Sequence, residues 1–208
     1  KGIKGPLDLR GKKVGITKGS TGQFFLHLFL TYYGIASNEV ESVDLKASEL
    51  AQAVADGRVD AISTWEPHIY NAKKLLGKNA LEFQSAGIFR EDFYFIASSR
   101  LIKNNPKALR MFLKAMEKAE EFIRKHKEEA KDIVCGRIKI DKELVRLVWD
   151  DFNYELMLDN SILTVLEDEA RWAMREGLTD KKEMPNYLNF IYTDALEEVK
   201  PEAVTIIK

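Results

Sequence analysis

The turn Gly19-Ser20-Thr21-Gly22 is the segment whose residue types best suit the binding of an anion. It joins a β-type run at residues 13–17 to an apolar helical run at residues 23–33. Amide N–H groups at the start of a helix have no partner within the helix, and the helix dipole favours negative charge there. The backbone of this turn and the hydroxyls of Ser20 and Thr21 could therefore donate hydrogen bonds to a carboxylate, a sulfonate or nitrate. The alternative is that Ser20 or Thr21 only caps the helix, and a cap and a ligand site are compatible.

A second turn of this kind, Thr64-Trp65-Glu66-Pro67, follows another β-type run at residues 59–64. Open α/β sheets bind their ligands at the carboxyl ends of strands, which is where both turns lie. Trp65 could form one wall of a cleft and donate a hydrogen bond from its indole N–H, or it could pack in the core. Glu66 suits the first turn of a helix because the dipole favours its charge, and we predict it, with Trp65, as a ligand-binding residue. Pro67 is a typical residue at a helix start.

A third candidate is the aromatic run Phe93-Tyr94-Phe95, which falls in a predicted strand at residues 93–98. Neighbouring side chains of a strand point to opposite faces, so Tyr94 faces away from the two phenylalanines. Whichever face looks into the cleft could add an aromatic wall, and the core is the alternative environment for these rings. Trp149 and Trp172 fall on apolar helix faces, and we predict that both are core residues.

Other kinds of chemistry have little support. The chain contains no Gly-x-Ser-x-Gly, no Walker loop, no Gly-x-Gly-x-x-Gly and no His-Glu-x-x-His, so we predict no catalytic residue and no cofactor. The histidines, His27, His68 and His126, have no second ligand at metal spacing, and we predict no metal site. Cys135 is the single cysteine, which excludes an internal disulfide and predicts a buried, unreactive thiol.

The composition is that of a globular protein, with 45% apolar and 31% charged residues in 208. Lys and Arg number 32 against 33 for Asp and Glu, and the charges are interspersed. Nucleic acids and acidic membrane surfaces require clustered positive charge, so we predict neither as a partner. No apolar run approaches the roughly 18 residues that a membrane-spanning helix needs, so we expect no direct membrane insertion. The sequence starts at Lys1 without methionine, and we expect a cut chain whose signal segment lies elsewhere.

The elements that must position these residues change in character near residue 100. Before it, short β-type runs alternate with helical runs, which is typical of an α/β layer with a mostly parallel sheet. The predicted strands are residues 13–17, 40–45, 59–64, 80–85 and 93–98, and the predicted helices are residues 23–33 before a stop at Gly34, a helix capped by Ser48, and one from Pro67 to about Leu76.

After Asn105-Pro106 the pattern is helical. The predicted helices are residues 107–134, one capped by Asp141, one from Asn160 or Ser161 to Gly177, and one that begins at Pro185. They are amphipathic and need a surface to cover, and the α/β part can cover only some of it. We therefore predict an α/β ligand-binding lobe at residues 1–100 and a helical segment at residues 101–208 that also packs on a missing N-terminal partner.

Four motifs, in this order along the chain, make the sequence resemble a known family. They are Asp8-Leu9-Arg10-Gly11-Lys12-Lys13-Val14-Gly15-Ile16 with Gly19-Ser20, then Ala53-Val54-Ala55-Asp56-Gly57-Arg58-Val59-Asp60-Ala61 with Thr64-Trp65-Glu66-Pro67, then Asn105-Pro106-Lys107-Ala108, and last the run from Leu166 to Thr205. The sequence resembles periplasmic substrate-binding proteins of ABC transporters of the nitrate/sulfonate/taurine, NMT1-like type.

This resemblance implies a periplasmic-binding-protein type II-like lobe with a mostly parallel sheet, followed by C-terminal helices. It implies that the chain holds lobe two of a two-lobed protein and lacks the N-terminal part of lobe one. Such a protein binds a small anionic or zwitterionic solute between its lobes and delivers it to a membrane permease. The implied location is periplasmic or extracellular, free or lipid-anchored, and the implied full-length state is a monomer.

Two other functions stay open at this point. The chain could be the ligand-sensing domain of a signalling receptor, although its end, Val204-Thr205-Ile206-Ile207-Lys208, resembles the family's own terminus and disfavours a downstream kinase. Some relatives of the fold are enzymes that make a thiamine pyrimidine precursor. That activity would call for a constellation rich in histidine and cysteine, which three scattered histidines and one cysteine disfavour.

Overall fold

The computed structural model describes residues 2–83 and 87–207. The chain forms two compact units that alternate along the sequence. Unit 1 comprises Lys1–Glu91 and Arg171–Lys181, and unit 2 comprises Asp92–Ala170 and Lys182–Lys208.

Unit 1 contains a parallel sheet. Its strand order is β2-β1-β3, and β1 pairs with both neighbours in parallel. The α/β class with a parallel sheet is therefore confirmed. The strands are β1 (Lys13–Ile16), β2 (Glu41–Asp44) and β3 (Ala61–Ile62), and the helices are α1 (Thr21–Tyr32), α2 (Ala47–Ala55) and α3 (His68–Leu76).

The central strand positions α1. Val14 and Ile16 are buried and belong to one core cluster with apolar residues of α1, among them Leu26, Phe29 and Leu30. Because these side chains repeat at three- and four-residue spacing, they line a single face of the helix. That face holds α1 against the sheet. Because α1 begins only five residues after the last residue of β1, its start lies near the carboxyl end of that strand.

Two of the predicted strands are wrong, one in unit 1 and one at the start of unit 2. Residues 80–83 and 93–98 have no regular secondary structure, while Ser85, the end of the first predicted strand, lies outside the described residues. Ile96 is 95% exposed and Phe93 73% exposed. Their β-type composition reflects a preference for a paired and half-buried surface, and the part of the chain described here provides no strand to pair with them.

The helix starts in unit 1 agree only in part with the sequence pattern. Ser48 does not cap a helix, because α2 begins at Ala47, one residue before Ser48, and Lys46 is its N-cap. The carboxylate of Glu49 accepts the Lys46 amide at 3.2 Å, which satisfies the backbone there without a serine. Pro67 was predicted in the first turn of its helix and is instead the N-cap of α3, which begins one residue later at His68.

Unit 2 is helical. Its described helices are α4 (Ser99–Asn104), α5 (Pro106–Lys125), α6 (Lys127–Ile138), α7 (Lys142–Val148), α8 (Ser161–Arg175), whose last residues from Arg171 belong to unit 1, and α9 (Asp194–Val199). The Asp141 carboxylate caps α7 by accepting the Glu143 amide at 2.9 Å, as predicted. Trp149 and Cys135 are buried in one cluster, also as predicted.

Two helix predictions in unit 2 are wrong. The single helix predicted for residues 107–134 is divided at His126, which is the C-cap of α5 and the N-cap of α6. The helix predicted from Pro185 is instead a 3-10 turn, Tyr187–Phe190, followed by the short helix α9. In both places the apolar periodicity continues across a change in backbone direction, so periodicity alone does not reveal the break.

A shielded ion pair joins the end of α9 to α5. Lys200 Nζ lies 3.0 Å from Glu120 Oε2, and the two side chains are only 12% and 18% exposed. The Leu156 amide also donates to Glu120, and the Leu156 carbonyl accepts from Lys200 at 3.4 Å. Burial alone lowers the pKa of Lys200, but the hydrogen bond and charge of Glu120 outweigh it and raise the pKa above its ordinary value. The stabilising charge is therefore present at neutral pH and is lost only as the pH rises through the folded-state pKa.

We predict that Lys200→Met lowers the free energy of unfolding by about 2 kcal/mol, between the values typical of exposed and of fully buried ion pairs. The reason is that the largely buried Glu120 carboxylate would lose the positive charge of Lys200 beside it. Lys125→Met is the matched control, because the Lys125–Glu121 pair is 59% and 53% exposed and its loss should have no measurable effect. Urea denaturation measures both, and equal effects of the two substitutions would contradict the prediction.

Candidate functional site

The two turns singled out in the sequence meet at the carboxyl edge of the sheet. β1 and β3 are parallel neighbours, so the turns that follow them emerge on the same side. The Ser63 hydroxyl, which is buried, donates to the Gly22 carbonyl at 2.7 Å. A Cβ atom on Gly22 would stand 2.8 Å from the Ser63 carbonyl oxygen and 3.2 Å from the Cα of Thr64. Only glycine allows the first turn of α1 to come this close to the end of β3.

Ser20 is the N-cap of α1. Its hydroxyl accepts the Gln23 amide at 3.3 Å and donates to the Thr17 carbonyl at 2.6 Å. Gly19 adopts a positive φ of 71°, and its amide donates to Gln23 Oε1 at 2.7 Å. The capping interpretation is therefore confirmed for Ser20, and its hydroxyl already has a donor and an acceptor within the chain. A direct contact of Ser20 with a ligand stays a prediction.

Capping leaves two amide groups available. Neither Thr21 nor Gly22 donates its N–H to another group among the described residues, and the exposed Thr21 hydroxyl has no hydrogen bond there either. These donors lie at the positive end of the helix dipole of α1. Together they form a small group that could donate hydrogen bonds to one or two oxygen atoms of an anion.

Trp65 and Glu66 lie in the second turn. Trp65 is half-buried, its ring packs edge-on against His68 at 5.8 Å, and its carbonyl accepts the His68 amide at 2.9 Å. Glu66 Oε2 accepts the Tyr70 amide at 2.9 Å, so this carboxylate helps to satisfy the start of α3. Trp65 is thus partly accessible, and Glu66 lies at a helix start, where the dipole favours its charge. Contacts of Trp65 and Glu66 with a ligand stay predictions.

Tyr94 is not among the residues that unit 1 brings together. It belongs to unit 2, and the expected strand that would have oriented it is absent from residues 93–98. Its hydroxyl donates to Asp92 at 3.4 Å, a contact within the same extended segment. Its role in ligand binding stays a prediction.

The sequence reasoning missed a third segment that borders the first turn. Residues of Arg171–Lys181 pack on α1, with the ring of Trp172 5.2 Å from that of Phe24. At the end of this segment, a Leu178 methyl lies 3.9 Å from the position of a Cβ on Gly19. Because this segment is separated by more than a hundred residues from the turn, no local pattern in the sequence reveals the contact.

The Arg171–Lys181 segment also contacts the middle of α1. Arg175 Nη2 is 3.3 Å from His27 Nε2. Burial and, to a smaller extent, the Arg175 charge hold the pKa of His27 below its ordinary value. Trp172 itself is buried, as predicted.

An open depression of about 450 Å³ lies at the ends of β1 and β2. Its lining combines apolar surface, including Leu45, with charged side chains. The carboxylates accept backbone hydrogen bonds: Asp44 accepts the Lys18 amide at 2.9 Å, and Glu49 accepts the Lys46 amide. The sequence reasoning did not identify it, because its residues come from two separate βα turns. The lining residues are Thr17, Lys18, Asp44, Leu45, Lys46 and Glu49.

Two further properties concern metal and membrane. Among residues 2–83 and 87–207, no group of three or more histidine, cysteine, aspartate or glutamate side chains is arranged to hold a metal ion. Within the same ranges, no helix combines the length and apolar character that crossing a bilayer requires.

We predict that Gly22→Ala lowers the free energy of unfolding by about 2–3 kcal/mol, because the new methyl group would overlap the Ser63 carbonyl and force the two turns apart. Gly136→Ala is the matched control. Gly136 lies in α6 with open space around its Cβ position, so alanine there should stabilise by about 0.5–1 kcal/mol. Thermal or urea unfolding measures both. A neutral Gly22→Ala would show that the turns are not in close contact.

The amino-acid sequence is similar to those of known binding proteins. The family model described as "NMT1/THI5 like" matches residues 1–130. A Brucella abortus protein named "Putative binding protein" is 28% identical over 182 residues, which are 86% of this chain and 56% of that protein. A Bacillus subtilis protein named "Putative aliphatic sulfonates-binding protein" is 28% identical over 188 residues, 87% of this chain and 55% of that protein. The chain thus spans little more than half the length of these relatives.

Solved structures share the fold. The periplasmic aliphatic sulphonate binding protein SsuA from Escherichia coli superposes with a TM-score of 0.79 at 19% identity, covering 94% of this chain and 67% of that one. SsuA from Xanthomonas axonopodis, bound to MOPS, has a TM-score of 0.72 at 17% identity and covers 100% and 67%. At these identities the likeness concerns the fold, and it confirms the predicted periplasmic-binding-protein architecture.

Proposed function

The chain belongs to the NMT1/THI5-like family, and on this basis we propose that it is the second lobe of a solute-binding protein that serves an ABC importer. The observation that carries the proposal is the pair of βα turns joined at Gly22 and Ser63. They present amide donors of α1 and the ring of Trp65 at the carboxyl edge of a parallel sheet, where α/β proteins bind small ligands.

The proposed ligand is a small anionic or zwitterionic solute, with an aliphatic sulfonate as the first choice. The free amides of Thr21 and Gly22 and the Thr21 hydroxyl suit an oxyanion, because each oxygen of a sulfonate accepts hydrogen bonds. The half-buried ring of Trp65 suits an apolar substituent next to the anionic group. The names of the Bacillus subtilis relative and of the Escherichia coli structure support the same class.

The relatives named above are binding proteins, and we propose binding without catalysis for this chain as well. Ligand contacts would then act by shifting an equilibrium between open and closed arrangements of two lobes. The proposed partner is the membrane permease of the importer, and the proposed location is periplasmic or extracellular. The Escherichia coli protein named above is a periplasmic binding protein, which supports this location.

An exposed aromatic surface in unit 2 supports the proposal of a further lobe. We define this surface by Phe93, Phe95, Ile96, Phe112 and Phe152, all of which are exposed. Phe95 packs edge-on against Phe112 at 5.0 Å, and Phe93 contacts Phe152 at 6.1 Å, so the four exposed rings form two contacting pairs whose first members are two residues apart. Soluble monomers rarely expose large contiguous apolar patches. We propose that the part of the protein corresponding to the relatives' additional length covers it.

The first test of the function is calorimetry on the protein expressed from its complete coding sequence, against short alkanesulfonates, nitrate and small carboxylates. We predict that Trp65→Leu weakens binding of the best ligand about tenfold or more, because it removes an aromatic wall and a donor. Tyr32→Leu is the matched control, since Tyr32 is 70% exposed at the opposite end of α1 and should not affect affinity. An unchanged affinity of Trp65→Leu would show that Trp65 does not contact the ligand.

The second test concerns the exposed aromatic surface. If another lobe covers it, Ile96→Glu in the complete protein should lower the free energy of unfolding by about 2–4 kcal/mol, because a charge would be buried without a partner. Ile133→Glu is the control, since Ile133 is exposed on α6 and lies outside the surface. If Ile96→Glu and Ile133→Glu lower the free energy of unfolding equally, the exposed aromatic surface is in contact with solvent and no further lobe covers it.

A further inference from the structure

One side-chain hydrogen bond in unit 1 requires a neutral histidine. Arg175 Nη2 lies 3.3 Å from His27 Nε2. A guanidinium can donate hydrogen bonds but cannot accept them, so the imidazole nitrogen must be the acceptor. The bond therefore exists only while Nε2 carries no proton. Neutral histidine predominates above a pH of about 6.5 and gives way to the charged form below it.

The two residues join segments that are far apart in the sequence. His27 is half-buried in the middle of α1, and Arg175 is the last residue of α8, in the Arg171–Lys181 segment that returns to unit 1. The same segment packs the ring of Trp172 5.2 Å from that of Phe24, almost one helical turn before His27. The segment is thus held on α1 by an apolar contact that is independent of pH and by a polar contact that is not.

The surroundings of His27 oppose its protonation. Burial is the larger cause that holds its pKa below the ordinary value, and the charge of Arg175 adds to it, whereas Glu176 acts in the opposite direction. The residues of α1 include no aspartate, glutamate, lysine or arginine. The further charged residues in the segments packed on α1 are Arg171, Asp180 and Lys181 of the returning segment, and Glu82, Arg90 and Glu91 beside the packed rings of Phe83 and Phe89.

We propose that His27 and Arg175 form an acid-sensitive contact, which holds residues 171–181 on α1 at neutral pH and releases them when His27 takes up a proton from solvent at Nε2. Protonation removes the acceptor of the hydrogen bond and places two positive charges side by side. In the open arrangement water surrounds the imidazolium, so the proton binds more readily there than in the closed arrangement. The closed arrangement is therefore fully stable above the ordinary histidine pKa of about 6.5 and loses stability as the pH falls below it.

The release would extend to the turn that begins α1. A Leu178 methyl group of the same segment lies 3.9 Å from the position of a Cβ on Gly19. Opening of the segment would therefore expose one side of this turn to water. The inference concerns the packing of unit 1, so it does not depend on which solute the protein binds or on whether it binds one.

Hydrogen exchange measured by mass spectrometry tests the proposal on the protein expressed from its complete coding sequence. The two pH values are about 7.5 and about 5.5, on either side of the ordinary histidine pKa. The reporter is residues 172–178, because a helix end that loses its packing frays and its amides exchange faster. Helix α2 of the same unit is the internal reference, and protection factors correct for the direct effect of pH on the exchange rate.

We expect the protection of residues 172–178, relative to α2, to fall about threefold or more on acidification of the natural protein. His27→Gln should abolish this fall, because glutamine can accept from Arg175 and does not titrate. Arg175→Gln should reduce the fall, because His27 stays buried but the repulsion is lost. His126→Gln is the matched control. The His126 side chain is 54% exposed in unit 2, so this variant should behave like the natural protein.

Three outcomes would overturn the proposal. The first is a protection of residues 172–178 that does not change with pH in the natural protein. The second is a fall that persists in His27→Gln, because another group would then be titrating. The third is an equal fall in Arg175→Gln and the natural protein, because Arg175 would then take no part. If His27→Gln does not fold, this third comparison still decides, since Arg175 is exposed and its replacement leaves the core unchanged.

Discussion

The candidate site depends on the close approach between the first turn of α1 and the end of β3. At Gly22 there is no space for a side chain, since a Cβ would lie 2.8 Å from the Ser63 carbonyl oxygen. The Ser63 hydroxyl then bonds the Gly22 carbonyl and fixes the distance between the two turns. Because β1 and β3 are adjacent and parallel, this contact brings a helix start and an aromatic ring to one edge. The other polar groups of the edge are arranged around it.

The hydroxyl groups at this edge divide into two sets. Ser20 and Ser63 donate to carbonyls of the turns themselves, so they hold the backbone of the edge in place. The second set consists of donors without a partner among the described residues, and the amides of Thr21 and Gly22 and the Thr21 hydroxyl are the ones that the proposed function assigns to a solute. A helix cap and an anion site are therefore not competing interpretations of this turn. The cap satisfies the Gln23 amide and leaves the amides of exposed Thr21 and buried Gly22 without an acceptor among the described residues.

Features that depend on neighbouring residues could be predicted from the sequence. The strand at Lys13–Ile16, the cap at Ser20 and the cap at Asp141 follow from local periodicity and capping chemistry. The strand expected at residues 93–98 failed because a strand needs a partner, which composition does not reveal. The hydroxyl of Thr64, which is buried without a hydrogen-bond partner in residues 2–83 and 87–207, could not be predicted for a similar reason. Burial and hydrogen bonding of a side chain depend on which distant segments pack around it.

The α/β unit is completed by a segment that returns from late in the chain. Trp172 packs on the buried ring of Phe24, and Leu178 borders the turn at Gly19. The entropic cost of closing a loop rises only slowly with its length, so an intervening stretch that folds into its own unit is tolerated. The turn is thus enclosed by residues from three parts of the sequence, and a chain that ended before Arg171 would expose Phe24. The α/β unit therefore needs residues 171–181 in addition to the first 91 residues of the chain, because without them the buried ring of Phe24 would lose its contact with Trp172.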